Sequence, residues 1–282
     1  MKITKHWLEG VDRAPTKKMG GEIEPTIIVM HYTAGWTTRG DVATLSTSDR
    51  PASAHLVVGR QGEVFQIVPF NMKAWHAGPS RFNGKSDVNV RSIGIEISNA
   101  GWIKQLTNGN FQDQYGQTIR PDGQFVGQKR TTFTPPSEWH EEHHDRLAKG
   151  TYFWEPFYEP QLKVLDELTA LLIETYDIRH IVSHEEIDTR GWKTDPGPMF
   201  PMRRYTKLLD DRSTRIDPLL VVTASELNLR DNPSPEKTRV LAVLKRGTTL
   251  RVISEYETWA LVRVDVPGGA EGWVNTYYTE KI

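Results

Sequence analysis

Three residues in this chain have side chains suited to holding a metal ion: His31, His184 and Asp195. A catalytic zinc site uses three protein ligands and leaves a fourth position for water, whose acidity the ion raises toward neutral pH. The chain has no cysteine, which excludes disulfides and thiolate nucleophiles, so any metal must rest on His, Asp or Glu. His31 and His184 each follow a short apolar run, and Asp195 lies eleven positions after His184 in a Gly/Pro-rich loop. Side chains at strand ends can converge above a sheet. The same placement also suits an ordinary polar residue capping a strand, and spacing alone does not choose between the two.

The elements that must position these residues show in the hydrophobic pattern. Residues 26–30 form a β-branched apolar run that predicts a strand ending at His31. A short helix is expected near residues 41–45, and residues 54–58 and 63–68 flank Gly59-Arg60-Gln61-Gly62 as a hairpin. Residues 92–98 alternate, with Ile93, Ile95 and Ile97 on one face and Gly94, Glu96 and Ser98 on the other. After Pro160, Leu162, Leu165, Leu168, Leu172 and Ile173 recur at helical spacing up to Tyr176, a core-packed amphipathic helix. The run 180–183 ends at His184, and a last short helix is expected near 202–209. Residues 103–158, rich in Gln, Asn, Gly, Thr, Pro and charge, predict a loop-rich insertion. Beyond Asp217-Pro218, short strands separated by Gly, Pro and Asn turns predict a small all-β barrel over residues 219–282.

At 282 residues, two folding units are expected: residues 1–215 and 219–282. Hydrophobic residues at 37% and charged residues at 25% match a globular chain that folds in water rather than a disordered or membrane-spanning one. A formal net charge of -1 supplies no basic surface for phosphate, so nucleic acid is not an expected partner. The first fifteen residues, MKITKHWLEGVDRAP, lack the apolar run of a signal peptide, and no segment has the length and apolarity to span a bilayer. Synthesis in the cytoplasm without membrane insertion is the expectation; the oligomeric state is left open.

Six segments in order resemble the type 2 N-acetylmuramoyl-L-alanine amidases, the family that includes T7 lysozyme and the peptidoglycan recognition proteins. They are Ile28-Val29-Met30-His31-Tyr32-Thr33-Ala34-Gly35, Ala52-Ser53-Ala54-His55-Leu56-Val57-Val58, Val64-Phe65-Gln66-Ile67-Val68-Pro69, Ala74-Trp75-His76-Ala77-Gly78, Ser92-Ile93-Gly94-Ile95-Glu96, and Val182-Ser183-His184 with Lys193-Thr194-Asp195-Pro196-Gly197-Pro198. The resemblance implies an α/β fold, a mixed central sheet flanked by helices. It implies Zn2+ bound by His31, His184 and Asp195, and cleavage of the amide joining N-acetylmuramic acid to L-alanine in peptidoglycan or muropeptides. Carried over by position, Glu96 is the acidic catalytic residue, able to take a proton from water and pass it to the leaving amine. Lys193 is the basic partner that stabilises charge on the amide oxygen. His55, Trp75, His76 and Asn89 fall on positions near the substrate groove, where a polar tip and an aromatic face suit a ligand cleft. Taken singly, Glu96 and Lys193 read as solvated surface residues, His55 as a satisfied strand histidine and Trp75 as a core aromatic. Two departures from the family pattern stand out: the eight residues between His184 and Lys193, slightly more than in close relatives, and the 103–158 insertion.

A competing motif is His140-Glu141-Glu142-His143-His144, which matches the H-E-x-x-H of zinc peptidases, with His140 and His144 as ligands and Glu141 as base. A helix over 137–149 would present it, but only Trp139, Leu147 and Ala148 would anchor such a helix in a core. In the C-terminal unit, Thr223-Ala224-Ser225-Glu226-Leu227-Asn228-Leu229-Arg230, Leu244-Lys245-Arg246-Gly247-Thr248, Trp259 and Gly272-Trp273-Val274 resemble bacterial SH3-like domains. That resemblance implies a module that holds the enzyme near the wall; Trp259 and Trp273 are expected in the core of so small a barrel. Three function classes follow: amidase, zinc peptidase, and a binder of peptidoglycan without catalysis.

Overall fold

The computed structural model of the chain describes residues 1–214, 219–236, 238–256, 258–266 and 269–282. It divides into two compact units, Met1–Leu209 and Asp210–Ile282.

In the first unit, β1 (Asp12–Arg13), β2 (Ile27–Tyr32), β3 (Leu56–Val58), β4 (Val64–Gln66), β5 (Ser92–Ile97) and a later strand (His180–Ser183) form a six-stranded sheet. The later strand lies at one edge, followed by β2, β5, β3, β4 and β1. The sheet is mixed: β5 runs parallel to both β2 and β3, while β3 and β4 make the antiparallel hairpin read from residues 54–68. Ile93, Ile95 and Ile97 share one face with Ile28 and Met30, and that face packs on Leu165, Leu168 and Leu172 of a helix over Glu159–Thr175. The helix starts where Pro160 supplies a preset φ and Gln161 Oε1 accepts the free Tyr158 N–H at 3.1 Å. The opposite face carries Ile27 and Val29 against Ala77, Val88 and Val182. One difference from the sequence expectation affects the site: β2 does not end at His31 but continues through it to Tyr32, paired with Ile97.

Residues 103–158 are mostly loop, and those loops are tied together by a small sheet. Five short strands, β6 (Trp102–Gln105), β7 (Phe111–Asp113), β8 (Thr118–Ile119), β9 (His140–Glu141) and β10 (Tyr152–Trp154), make a sheet of their own in the order β8-β7-β6-β10-β9. Strands of two to four residues are too short to show period-two alternation, which hid them behind the Gly and Asn turns. The sheet buries Ile103, Phe111, Ile119, Phe125 and Trp139 in a small core against Trp36, whose Nε1 donates to Asp113 at 3.0 Å. The expected helix over 137–149 is absent; Pro136–Glu138 is a single 3-10 turn and His140–Glu141 is strand.

A buried ion pair joins this sheet to the central one. Arg60, in the hairpin turn, donates from Nε and Nη2 to the two Glu155 carboxylate oxygens at 2.7 and 2.8 Å, and from Nη2 to Gly35 O at 2.9 Å. Both side chains are buried.

The remaining helices of the unit are α1 (Thr38–Ser46), α2 (Glu159–Thr175) and α3 (His184–Ile187), with β11 (His180–Ser183) between the last two. A helix over Met202–Thr214 follows.

The second unit is all-β, with a seven-stranded antiparallel sheet built on buried Leu220, Val222, Leu229, Leu250, Val262 and Val274. Trp259 is buried but Trp273 only half so, and aliphatic side chains rather than tryptophan fill the core.

Breaking a buried bidentate pair strands the surviving charge, which costs about 3–5 kcal/mol. Glu155→Ala should therefore lower the stability of the first unit by that amount in urea unfolding, whereas Glu226→Ala, which breaks the exposed pair with Lys245, should leave the unfolding midpoint nearly unchanged.

Candidate metal centre

Sheet register brings the site together. Glu96 lies directly opposite His31 on parallel neighbours, so both side chains leave the sheet on the same face, away from the isoleucines. On the other side of β2, Ser183 of β11 pairs with Met30, and the chain turns into α3 at the next residue, His184. Ser183 caps that turn, its Oγ accepting Glu186 N–H at 3.0 Å. The loop beyond α3 returns because Glu185 N–H donates to Asp195 O at 3.0 Å.

The result is a near-equilateral triangle of donor atoms. His31 Nδ1 lies 3.0 Å from His184 Nδ1 and 3.0 Å from Asp195 Oδ2, and His184 Nδ1 lies 2.9 Å from Asp195 Oδ2. The residues are 1%, 3% and 4% exposed. Among the described residues, this is the group of His and carboxylate side chains whose ligand atoms converge closely enough to hold one ion.

Which nitrogen of His31 carries a proton follows from its neighbours. Ser92 Oγ donates its proton to Val88 O at 2.7 Å, so it can only accept from His76 Nε2 at 3.1 Å. His76, protonated at Nε2, offers a bare Nδ1 that accepts from His31 Nε2 at 3.0 Å. His31 then turns an unprotonated Nδ1 toward His184 and Asp195. Burial, followed by the neighbouring His184 charge, pushes the His31 pKa down to about 4, which keeps it neutral at pH 7. Burial holds His76 well below its ordinary value too. Burial alone would raise the Asp195 carboxyl, but the two histidines hold it well below the usual carboxylate range. A bare imidazole lone pair and a carboxylate about 3 Å apart repel each other unless a cation lies between them. The donor set, two imidazoles and one carboxylate with no sulfur, fits zinc.

Beside the triangle, Glu96 has a buried Oε2 with no hydrogen-bond partner. Burial raises its carboxyl well above the ordinary value, the Asp195 charge adds to that, and the Lys193 ammonium opposes it. Lys193 is fixed through its backbone. Its N–H, with that of Trp192, donates to Asp188 Oδ2 at 3.2 and 3.1 Å, and Asp188 Oδ1 accepts from Arg190 Nε at 2.9 Å. Burial would raise Asp188, but Arg190 and the backbone donors outweigh it and bring the carboxyl down to about 2. The eight-residue stretch after His184 is thus a knot tied on Asp188 rather than a slack loop. The next residue, Thr194, shares a 2.6 Å hydroxyl contact with Tyr32.

The four groove positions separate in the structure. Trp75 is 38% exposed, with Lys73 Nζ 4.0 Å from its ring centroid, and is the one of the four that a ligand can reach. His55 is fully buried, Nδ1 accepting Gly94 N–H at 3.0 Å and Nε2 donating to Met72 O at 2.9 Å. Asn89 Oδ1 accepts the N–H groups of His76 and Ala77 at 3.0 and 2.8 Å. His76 faces His31 across Gly94, where a Cβ would come within 2.4 Å of its ring. These three support the site from behind the ligands rather than line a groove. The residues that sequence reasoning missed are Ser92, Asp188, Tyr32 and Thr194; none sits in a spacing that signals its role. The rival cluster is dispersed: His140, Glu141, Glu142 and His143 are exposed, and His144 Nε2 contacts Glu185 at 3.1 Å.

Removing a partner of a ligating histidine typically costs about 10–100-fold in metal affinity. His76→Phe should show a loss in that range by competition with a chelating dye. Asp188 has a depressed pKa, so its contribution is complete above about 3.9, the unfolded value, and fades as pH falls toward about 2. Asp188→Asn should be less stable than the parent at pH 7, with the difference vanishing in acid titration below that window.

The family model for N-acetylmuramoyl-L-alanine amidases matches residues 21–198, and that for bacterial SH3 domains matches residues 225–280. The chain is 27% identical over 190 residues to the N-acetylmuramoyl-L-alanine amidase AmiD of Escherichia coli (strain K12); the match spans 64% of this chain but only about half, 52%, of that protein. It is 25% identical over 236 residues to the 1,6-anhydro-N-acetylmuramyl-L-alanine amidase AmpD of the same organism, spanning 76% of this chain and 100% of the relative. The crystal structure of a selenomethionine AmpD derivative shares the fold, with a TM-score of 0.51 at 23% identity over 74% of this chain and 99% of that one. By the family match over residues 21–198, which include His31, His184 and Asp195, the chain belongs to the N-acetylmuramoyl-L-alanine amidase family, with a C-terminal bacterial SH3 domain.

Proposed function

We propose that the chain hydrolyses the amide between N-acetylmuramic acid and L-alanine in peptidoglycan or its fragments, with zinc held by His31, His184 and Asp195. The observation that carries this is the convergence of two imidazole nitrogens and a carboxylate oxygen within 3.0 Å of one another, beside the Glu96 carboxyl, whose buried Oε2 has no hydrogen-bond partner. Zinc in such a setting supplies Lewis acidity, lowering the pKa of a water and polarising a carbonyl. Glu96 takes the proton from the attacking water and passes it to the departing L-alanine amine, the two halves of general acid–base work. Its raised pKa suits both, because a carboxyl poised nearer neutrality holds a proton long enough to return it. Lys193 supplies positive charge for the oxygen on which negative charge develops. The SH3 domain is assigned to holding the enzyme at the wall.

The exposed and scattered His140-Glu141-Glu142-His143-His144 cluster gives the peptidase alternative no ligand set. Digestion of purified peptidoglycan separates the classes: a new L-alanine amine supports the amidase, a break inside the peptide the peptidase, and binding without cleavage the silent module. Chelation should abolish turnover and added zinc restore it. Asp195→Ala should lose stoichiometric zinc, whereas Glu96→Gln should keep zinc and lose about 10²–10⁴-fold in kcat. Because Glu96 must be deprotonated to act as base, kcat/KM should fall as pH drops through its pKa, giving an acid limb centred above about 4.3, the ordinary glutamate value. An acid limb unchanged in residual Glu96→Gln turnover would remove Glu96 from the role of base.

A further inference from the structure

We propose that the inserted sheet acts as a clamp on the metal-site loop, with Arg146 and His144 as positioning residues for Asp195 and Lys193. The proposal rests on the assignment of those residues above and adds a task for the segment that departs from the family pattern.

His144 is the member of the histidine cluster that turns inward. Its Nδ1 accepts Arg146 N–H at 3.2 Å, so in the neutral ring the proton sits on Nε2, which donates to Glu185 Oε2 at 3.1 Å. Arg146 reaches the same carboxylate, Nε lying 3.6 Å from Oε1, and its Nη1 donates to Lys193 O at 2.8 Å. Glu185 is the residue after His184, and its own N–H holds Asp195 O. One carboxylate held from the insertion thus sits between two metal ligands in the chain, while Arg146 fixes the carbonyl side of Lys193 and Asp188 its N–H side. Behind the contact, Trp154 Nε1 donates to Glu142 O at 2.8 Å, and the Trp154 ring occupies the space beside Gly197, where a Cβ would fall within 2.7 Å. The loop carrying Asp195 therefore rests on the insertion both before and after the ligand.

The energetic logic is positional. A longer connection between His184 and Lys193 has more conformations to lose, a cost that grows with loop length. A misplacement of about 1 Å at a reacting centre can cost on the order of 100-fold in rate. Contacts from the inserted segment offset both, at partly buried sites where charge-assisted hydrogen bonds are stronger than in open water.

The test uses the full chain loaded with zinc, with Arg146→Ala, Arg146→Lys and Asp195→Ala compared by three readouts: zinc affinity by competition with a chelating dye, kcat and KM on a soluble muropeptide, and melting temperature. The clamp predicts that Arg146→Ala weakens zinc binding about 10-fold and lowers kcat by a similar factor, with KM held within about twofold. Arg146→Lys, which keeps the positive charge but lacks the guanidinium fork that faces Glu185 and the Lys193 carbonyl from two separate nitrogens, should fall between Arg146→Ala and the parent; it carries the test if Arg146→Ala fails to fold. Parental zinc affinity and kcat in Arg146→Ala, with or without a lower melting temperature, would overturn the clamp. Zinc binding by a parent chain that leaves muropeptides intact would overturn the assigned reaction alone, since zinc affinity still reads the clamp. Undiminished zinc affinity in Asp195→Ala would overturn the metal assignment and the clamp with it.

Discussion

The constraint on which the site depends is the approach of His31 Nδ1, His184 Nδ1 and Asp195 Oδ2 to about 3 Å of one another in a buried place. Without a cation, the bare His31 Nδ1 and the Asp195 carboxylate there repel, and the cost must be offset by the folding energy of the whole unit. That cost is carried by a continuous apolar face on the other side of the same strands. The isoleucines of β5 and the leucines of α2 bury one side of the sheet and fix the register that aligns His31 with Glu96. Alternation along one strand therefore separates stability from chemistry at single-residue resolution.

Behind the ligands lies a layer of polar groups whose protons all have defined places. The hydroxyl of Ser92, the ring of His76 and the ring of His31 form a one-way chain of donors ending at a backbone carbonyl, Val88 O. Because the acceptor beside His31 is a neutral imidazole rather than a carboxylate, His31 is oriented without gaining much negative character. Such an orientation would leave the Lewis acidity of a zinc ion held there undiminished for the proposed amide hydrolysis. The same economy recurs at Asp188, where one carboxylate ties the N–H groups of Trp192 and Lys193 and so organises the stretch after His184.

Much of this was legible in the sequence, for reasons that differ by residue. The faces of β5 could be read because six residues alternate cleanly, and that placed Glu96 opposite the core. His31 and His184 were visible as the residues after apolar runs. The direction of His76 was not: a motif fixes identity and order, whereas its ring points at His31 because Gly94 leaves room and Asn89 holds its backbone. The inserted sheet was hidden because strands of two to four residues carry no period and its core is assembled from residues far apart in sequence, such as Trp36 and Trp139. The His140–His144 cluster misleads for the opposite reason, since its spacing has meaning only on a helix, and the chain there is extended.

The central claim, that these three side chains hold one zinc ion, is tested most directly by anomalous scattering at the zinc edge from crystals of the metal-loaded chain. A single strong peak about 2.0–2.2 Å from His31 Nδ1, His184 Nδ1 and Asp195 Oδ2 is the predicted result. A peak among His140, His143 and His144, or none near the triangle in crystals of an active preparation, would contradict it.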